Sequence, residues 1–468
     1  MRGVRFALLV VLSIGAACSG VAGGDAVTTA TASGEAQTSG VGAGLTADML
    51  STLSVASLHS PWTVREERER ARQRLVDGKI IPAFSASLTS GTEEAWEGAF
   101  WATKLLYLRN DLTRDAMTTA LLAYPLRSES FGRMALESVY AVYPREFKPD
   151  VMAIMSGTTQ PKHFAMAADY LVRLAETEAG ENPQMTRTIC MGLMKARFPN
   201  WQNDPILTML QFHLQHGKAA PLGNRPPLRD LFSGPFRPGY PVVFSLQRGQ
   251  RSFPGVAIVR DAKGKFVRNP DGSLFHISHL AFSQSDLPGY ITNGNTPQGV
   301  FTIWRIDTTR NLFIGKTPFL ETALPLEVPP ATYFHDNILS GTLWTPELYG
   351  DILPQSWRGY FPVREAFFAG KAGRSEIIAH GTTIDPEYYV GKPYYPNTPS
   401  IGCLTAKEIW SEKDGGALIS DQVALLKAYL STGSIEGFLV VVDIDDNRRP
   451  VHLDDILVDV LAAEAVGS

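Results

Sequence analysis

One change of texture constrains the fold of this chain more than any other feature. Before the Pro- and Gly-rich stretch "APLGNRPPLRDLFSGPFRPGY" (residues 220–240), apolar residues recur at helical spacing; after it, they come in short strand-like runs. "EEAWEGAFWATKLLYL" places Trp96, Phe100, Trp101 and Leu105 along one helical face. Three further helices are expected to stop at an aromatic followed by proline, at Pro125, Pro144 and Pro199, because proline disfavours helix in the residue before it. "REERERARQRL" reads as a charged, solvated helix. Beyond residue 240, "PVVFSLQ", "GVAIVRD", "KFVR", "GVFTIWRID", "SEIIAH" and "EGFLVVVDID" read as strands, with hairpin-type turns at "DAKG" and "NPDG". Helix is expected there only at "TAKEIW" and "SDQVALLKAYLS". The expected organisation is multi-domain. An all-α helical N-terminal domain over residues 59–235 precedes a mostly-β domain over 236–446 and a C-terminal tail over 447–468.

The first residues carry a different message. Arg2 and Arg5 precede an apolar run from Phe6 to Ile14, then Gly15-Ala16-Ala17-Cys18. That is the pattern of a secretory signal over residues 1–18, too short to span a bilayer. Cys18 after small residues resembles a lipoprotein cleavage site, so the expectation divides between a lipid tether through Cys18 and a soluble exported chain. Residues 19–58 read as a disordered linker rich in Gly, Ala, Ser and Thr. The net charge of −4 and the lack of a basic stripe argue against nucleic acid as a partner.

Three cysteines occur, at 18, 190 and 403. Cys190 sits in the helical pattern "TRTICMGLMKARF" and reads as a buried apolar residue. Cys403 is then a free thiol in a chain read as exported, where cysteines are usually paired or avoided. It lies in "SIGCLTAKEIW", with "SEIIAHG" delivering His380 upstream at the end of a strand. A helix opening at Cys403 would lower its pKa and offer amide donors to an oxyanion, and a nearby imidazole would take the thiol proton. His213 and His216 share a helix without acidic neighbours, which leaves a metal site unsupported; His276 and His279 of "HISH" are expected at the surface. No S-x-x-K with K-T-G, no H-E-x-x-H and no G-x-x-x-x-G-K-[ST] is present. No metal or cofactor is expected.

The order of three pieces resembles the L,D-transpeptidase (YkuD-like) family of bacterial cell-wall enzymes. The pieces are "TPQGVF" at Thr296–Phe301, "HG" at His380–Gly381 and "SIGCL" at Ser400–Leu404, and the likeness covers residues 240–445. The resemblance implies a β-sandwich-like catalytic domain. It assigns Cys403 as nucleophile, His380 as base, and the Gly381 carbonyl as the group orienting the imidazole. Gly402, Ser400, Thr405 and Thr382 are the candidates for oxyanion and substrate contacts, with a weaker assignment to Tyr395. Gly294, Pro297 and Gly299 in "TNGNTPQGVF" shape a turn or touch substrate. The chain departs from the family pattern at Ile401, where histidine is common, and at Thr405, where arginine or asparagine is common. The long Tyr/Pro-rich stretch "PEYYVGKPYYP" between His380 and Cys403 reads as a lid, a substrate wall or an inserted surface loop.

The implied substrates are peptidoglycan peptide stems and the implied place is the periplasm or cell envelope. The implied reaction is 3→3 cross-linking, or attachment of a wall-bound protein acceptor. The alternatives are L,D-carboxypeptidase action on the same stems and a non-catalytic wall-binding scaffold.

Overall fold

The strand-rich half closes on itself. A computed structural model describes Leu45, Leu50 and residues 52–217 and 224–466. Among the described residues, ten strands are formed: β1 (Val242–Arg248), β2 (Gly255–Arg260), β3 (Ile277–Leu280), β4 (Gly299–Asp307), β5 (Phe319–Ala323), β6 (Ile378–His380), β7 (Leu404–Ala406), β8 (Glu408–Trp410), β9 (Ala417–Ser420) and β10 (Gly437–Asp445). Eight of them form a closed barrel in the order β1-β10-β4-β5-β6-β7-β3-β2, and β8 with β9 form a separate ribbon. The β1–β10 and β6–β7 pairs are parallel; the other barrel pairs are antiparallel.

This corrects the expectation of a β-sandwich. Every residue of β1 and β2 is buried, so these strands carry no polar face to show which side meets solvent. Inside, the helix Asp421–Leu430 places Leu425, Leu426 and Tyr429 among Val243, Val441, Ile303, Leu320 and Leu404. It touches β2 and β5 from opposite sides of the ring. Outside, Phe232, Tyr349, Trp357 and Val460 cover Phe244, Ile258 and Val440. Val460 belongs to the helix Leu457–Val466, inside the segment expected as a tail.

The N-terminal half is helical: α1 (Arg65–Leu75), α2 (Glu93–Leu106), α3 (Asp111–Ala123), α4 (Glu129–Val142), α5 (Lys148–Gly157), α6 (Pro161–Thr177), α7 (Pro183–Arg197) and α8 (Pro205–His216). Helix starts are encoded locally. The side chains of Asn110, Ser128, Asn182 and Asp204 each accept an amide of the first turn. Pro161, Pro183 and Pro205 stand at the first helical position, where a missing N–H costs nothing. Phe84, Trp96, Phe100 and Phe131 pack ring on ring at 5.1–6.0 Å.

The helical half is not a free-standing all-α unit. Its core takes in Leu287, Tyr290 and Ile291 from the loop before β4. Glu137 on α4 is fully buried, pairs with Lys104 and Arg133, and accepts both Asn293 Nδ2 bonds at 3.1 and 3.2 Å. Burial alone would raise its pKa, but the two cations outweigh that and leave it lowered. Arg173 on α6 likewise pairs with Asp286. The signal, Cys18 and most of the linker expected over 19–58 lie outside the described residues. The end of that linker is packed: Leu50 is 2% exposed, and Leu58 seats against Trp410 and Val423. Among the described residues, no helix is long and apolar enough to cross a membrane.

Glu137→Ala strands Lys104 in the core without its partner. It is expected to cost about 3–5 kcal/mol in urea unfolding, the range for breaking one side of a buried pair; a loss under about 1 kcal/mol would show that the cluster does not hold the two halves together.

Candidate active site

Strands β6 and β7 bring the two motif residues to one place. The parallel register sets Ala379 opposite Leu404 and His380 opposite Thr405. Continued by one residue, it sets Cys403 opposite Ile378, on the same side of the pleat as His380. Diagonal neighbours of this kind lie about 7 Å apart along the sheet, within reach of a long side chain. The helix expected after Cys403 does not form. "LTA" and "EIW" are strands instead, because Thr405 and Ala406 complete the barrel by pairing with Leu280 and His279. The helix-dipole argument for a thiolate therefore falls.

The S-x-G-C turn is held from within. Ser400 Oγ donates to Cys403 O at 2.7 Å and accepts the Gly402 N–H at 2.9 Å. Gly402 has φ +130°, and a Cβ there would lie 2.9 Å from Gly294 O and run into the Arg374 guanidinium, so only glycine fits. Thr296 Oγ1, from the TPQG box, donates to Gly402 O at 3.0 Å. Arg374 joins these pieces. It is 5% exposed, and it donates to the carbonyls of Gly289, Gly294 (2.7 Å), Asn295 (2.7 Å) and Gly402 (3.2 Å). Sequence reading missed Arg374, since carbonyl acceptors leave no mark on composition or spacing.

Several of the residues expected to touch substrate are engaged by bonds within the protein. Gly402's N–H is spent on Ser400, which leaves the Cys403 amide as the turn's candidate oxyanion donor. Thr405 Oγ1 donates to Thr398 O at 2.6 Å. Thr382 Oγ1 donates to Phe313 O at 3.2 Å and accepts Ile384 N–H at 3.1 Å. Tyr395 is 41% exposed and donates to Glu387 at 2.8 Å. Glycine at 381 answers to Glu408, whose carboxylate lies where a Cβ would go. Glu408 is 1% exposed, accepts Thr382 N–H at 2.7 Å and Ser420 O–H at 2.6 Å, and is pushed up to about 7 by burial.

The imidazole is oriented. His380 Nδ1 donates to Gly381 O at 2.5 Å, which leaves Nε2 unprotonated as the basic atom. Burial pushes His380 down to about 4. His279, expected at the surface, is fully buried beside it, bonded to Ser245 Oγ at 2.9 Å and pushed down to about 3 by burial; His276 is exposed as expected. Cys403 is half-buried, with Sγ 3.6 Å from Glu376 O. Burial pushes its thiol up to about 11, against a lowering by the Ile378 amide and Arg374. At rest both groups are neutral, and the thiol points to Glu376 O rather than to the ring. Cys190 is 1% exposed and its thiol is pushed up to about 12 by burial.

The helical half grips the loop between the two residues. Arg68 on α1, in the helix expected to be solvated, is 8% exposed; it donates to Thr383 O at 3.0 Å and pairs with Asp385 at 3.4 Å. Tyr107 donates to Gln284 O at 3.2 Å, and Gln284 N–H donates to Ser400 O at 2.8 Å. Tyr389 and Tyr394 are buried against Leu280 and Phe282, so much of the Tyr/Pro-rich stretch is a packed wall. His213 and His216 rest on Tyr290 and Phe212. Among the described residues, no group of three or more His, Cys, Asp or Glu is placed to hold a metal.

Comparison with known proteins finds no match: no family model, no curated protein and no solved structure matches this chain.

A thiol near 11 is ionised to about one part in ten thousand at pH 7. Iodoacetamide labelling of Cys403, followed by peptide mass, is expected to be slow at pH 7 and to rise close to tenfold per pH unit through pH 10. A plateau reached by pH 8 would contradict this environment.

Proposed function

We propose that the protein is a cysteine acyltransferase of the L,D-transpeptidase type, acting on the tetrapeptide stems of peptidoglycan. The observation that supports it is the His380–Cys403 register. A strand-borne HG and an S-x-G-C turn lie on neighbouring parallel strands, with the TPQG box bonded to the same turn. The likeness rests on these motifs, and the β-sandwich implied with it is not carried forward.

In this reading, His380 Nε2 takes the Cys403 proton while Sγ bonds to the carbonyl carbon of the diamino acid at stem position three. The two groups are so far apart in pKa that a thiolate–imidazolium pair is not the resting state. The proton therefore leaves as the S–C bond forms. The Cys403 amide steadies the developing oxyanion. Terminal D-alanine departs with the proton from His380, leaving a thioester on Cys403. An amine of a second stem attacks that thioester and gives its proton to His380; the C–S bond breaks, Cys403 leaves taking that proton back as the thiol, and a 3→3 cross-link is formed. A protein amine in its place gives wall attachment, and water gives a trimmed tripeptide. Exclusion of water from the thioester sets the balance. No metal or cofactor is needed for any step. The Arg2–Cys18 pattern supports export to the cell envelope or periplasm, with a lipid on Cys18 as the tethered variant. The helical half serves as a brace for the catalytic loop.

Disaccharide-tetrapeptide incubated with the protein is expected to give cross-linked dimers and free D-alanine, read by mass spectrometry. Cys403→Ala and His380→Ala are each expected to lose at least about a thousandfold. Tripeptide without dimer would assign carboxypeptidase action. No product, with no carbapenem adduct on Cys403, would favour the non-catalytic scaffold.

A further inference from the structure

A polar cleft of about 360 Å³ lies where α4, α6 and α8 face the barrel segments 249–252, 286–298 and 443–448. Pockets between two packed units are the usual place for ligands. The cleft is separate from the thiol: it borders the catalytic turn through Gly289, Asn295 and Thr296, whose other sides meet Arg374 and Gly402.

Its floor is charged and more than nine-tenths buried. Arg251 is 6% exposed, and Asp443 and Glu365 are each 7% exposed. Arg251 pairs with Asp443 at 2.8 Å and donates to Thr296 O at 3.1 Å. Among the described residues Glu365 has no ion pair; it accepts the Gln298 amide at 2.9 Å and is also held by the Gly289 amide. Two carboxyls thus share one ion-paired cation, Arg251, at the bottom of an open cleft, with the Arg374 charge acting on Glu365 from behind. Burial pushes Asp443 up to about 7, with Glu365 adding to the rise, and burial raises Glu365 as well. Burying ionisable groups in this way is costly unless a ligand completes them. The Tyr140 hydroxyl, on a residue 5% exposed, is also left without a partner in the cleft wall.

The rim has the opposite character. Arg145 from the helical half and Arg448 from the barrel half are exposed and line the cleft, and no carboxylate lies within ion-pair distance of either among the described residues. The remaining wall charges are matched, Arg173 with Asp286 and Glu176 with Arg187.

We propose that this cleft is a second binding site, for a zwitterionic peptide that sets an ammonium group against Asp443 and Glu365 and a carboxylate against Arg145 and Arg448. The site binds and does not acylate, because no nucleophile or base of the catalytic pair reaches it. Naming a peptidoglycan stem as the occupant rests on the transpeptidase reading; the ammonium-plus-carboxylate chemistry rests on the cleft itself. A stem held there would be anchored by both halves of the molecule, on the far side of the loop from Cys403.

The probe is the tripeptide L-alanyl-γ-D-glutamyl-meso-diaminopimelate, titrated calorimetrically into the full-length Cys403→Ala protein. Expected are saturable binding, a loss of at least tenfold when the side-chain amine is acetylated, and a similar loss in Asp443→Asn. The surface double variant Arg145→Glu/Arg448→Glu, which leaves the core intact, is expected to lose at least fivefold. It should keep the wild-type rate of carbapenem adduct formation when Cys403 is present. No binding, or binding indifferent to amine acetylation and to the arginine changes, overturns the proposal. Failure of adduct formation in the wild-type protein would instead count against the transpeptidase reading and leave the titration to judge the cleft.

Discussion

The guanidinium of Arg374 is the interaction on which the site depends. It is buried, and its donors go to the carbonyls of Gly289, Gly294, Asn295 and Gly402. Those carbonyls belong to the loop before the TPQG box and to the turn before Cys403. Charged donors bind carbonyls more strongly than neutral ones, and a planar fork fixes direction as well as distance. Without it, the buried carbonyls of Gly289, Gly294 and Asn295 would lose their charged donor, and Gly402 O would keep only the Thr296 hydroxyl. The absence of a side chain at Gly402 is what lets the guanidinium come so close.

The rest of the molecule is built outward from that staple. β6 leaves it and arrives at His380, whose ring is turned by the Gly381 carbonyl. β7 starts from the stapled turn and runs parallel to β6, which keeps Cys403 and His380 on one side of the sheet. Glu408 closes in behind Gly381. The helical half then fixes both flanks of the intervening loop, Thr383 through Arg68 and Ser400 through Tyr107 and Gln284. The buried Glu137 cluster and the half-buried Arg173–Asp286 pair tie that half to the loop running from Asp286 to Asn293. A change in the seating of the helices would therefore be felt at the backbone around both motif residues.

Much of this was legible in the sequence where the signal is local. The aromatic face of α2, the proline stops, and the apolar runs of β1, β2, β4 and β10 all carry their pattern within a few residues. The short strands were not legible. β6, β7 and β8 have three residues each, and "TAKEIW" contains good helix formers whose preference is overridden by pairing to distant strands. Barrel closure escaped for a related reason. It depends on the parallel β1–β10 and β6–β7 pairs, and strands buried on both faces do not say which neighbours they take. Cys403 and His380 stood out because a thiol and an imidazole beside glycines are chemically distinctive. Arg374, Arg68 and Glu408 did not, since they act on backbone groups that every sequence has.

The central claim is that His380 Nε2 is the base for Cys403. Its most direct test is the pH dependence of single-turnover acylation of Cys403 by a carbapenem, read by intact mass, in the wild-type protein and in His380→Ala. The wild-type rate is expected to rise through an acid limb near pH 4 and hold level across neutral pH. The variant is expected to lose that plateau and climb about tenfold per pH unit toward 11, following the thiol alone. Superimposable profiles for the two proteins would contradict the account.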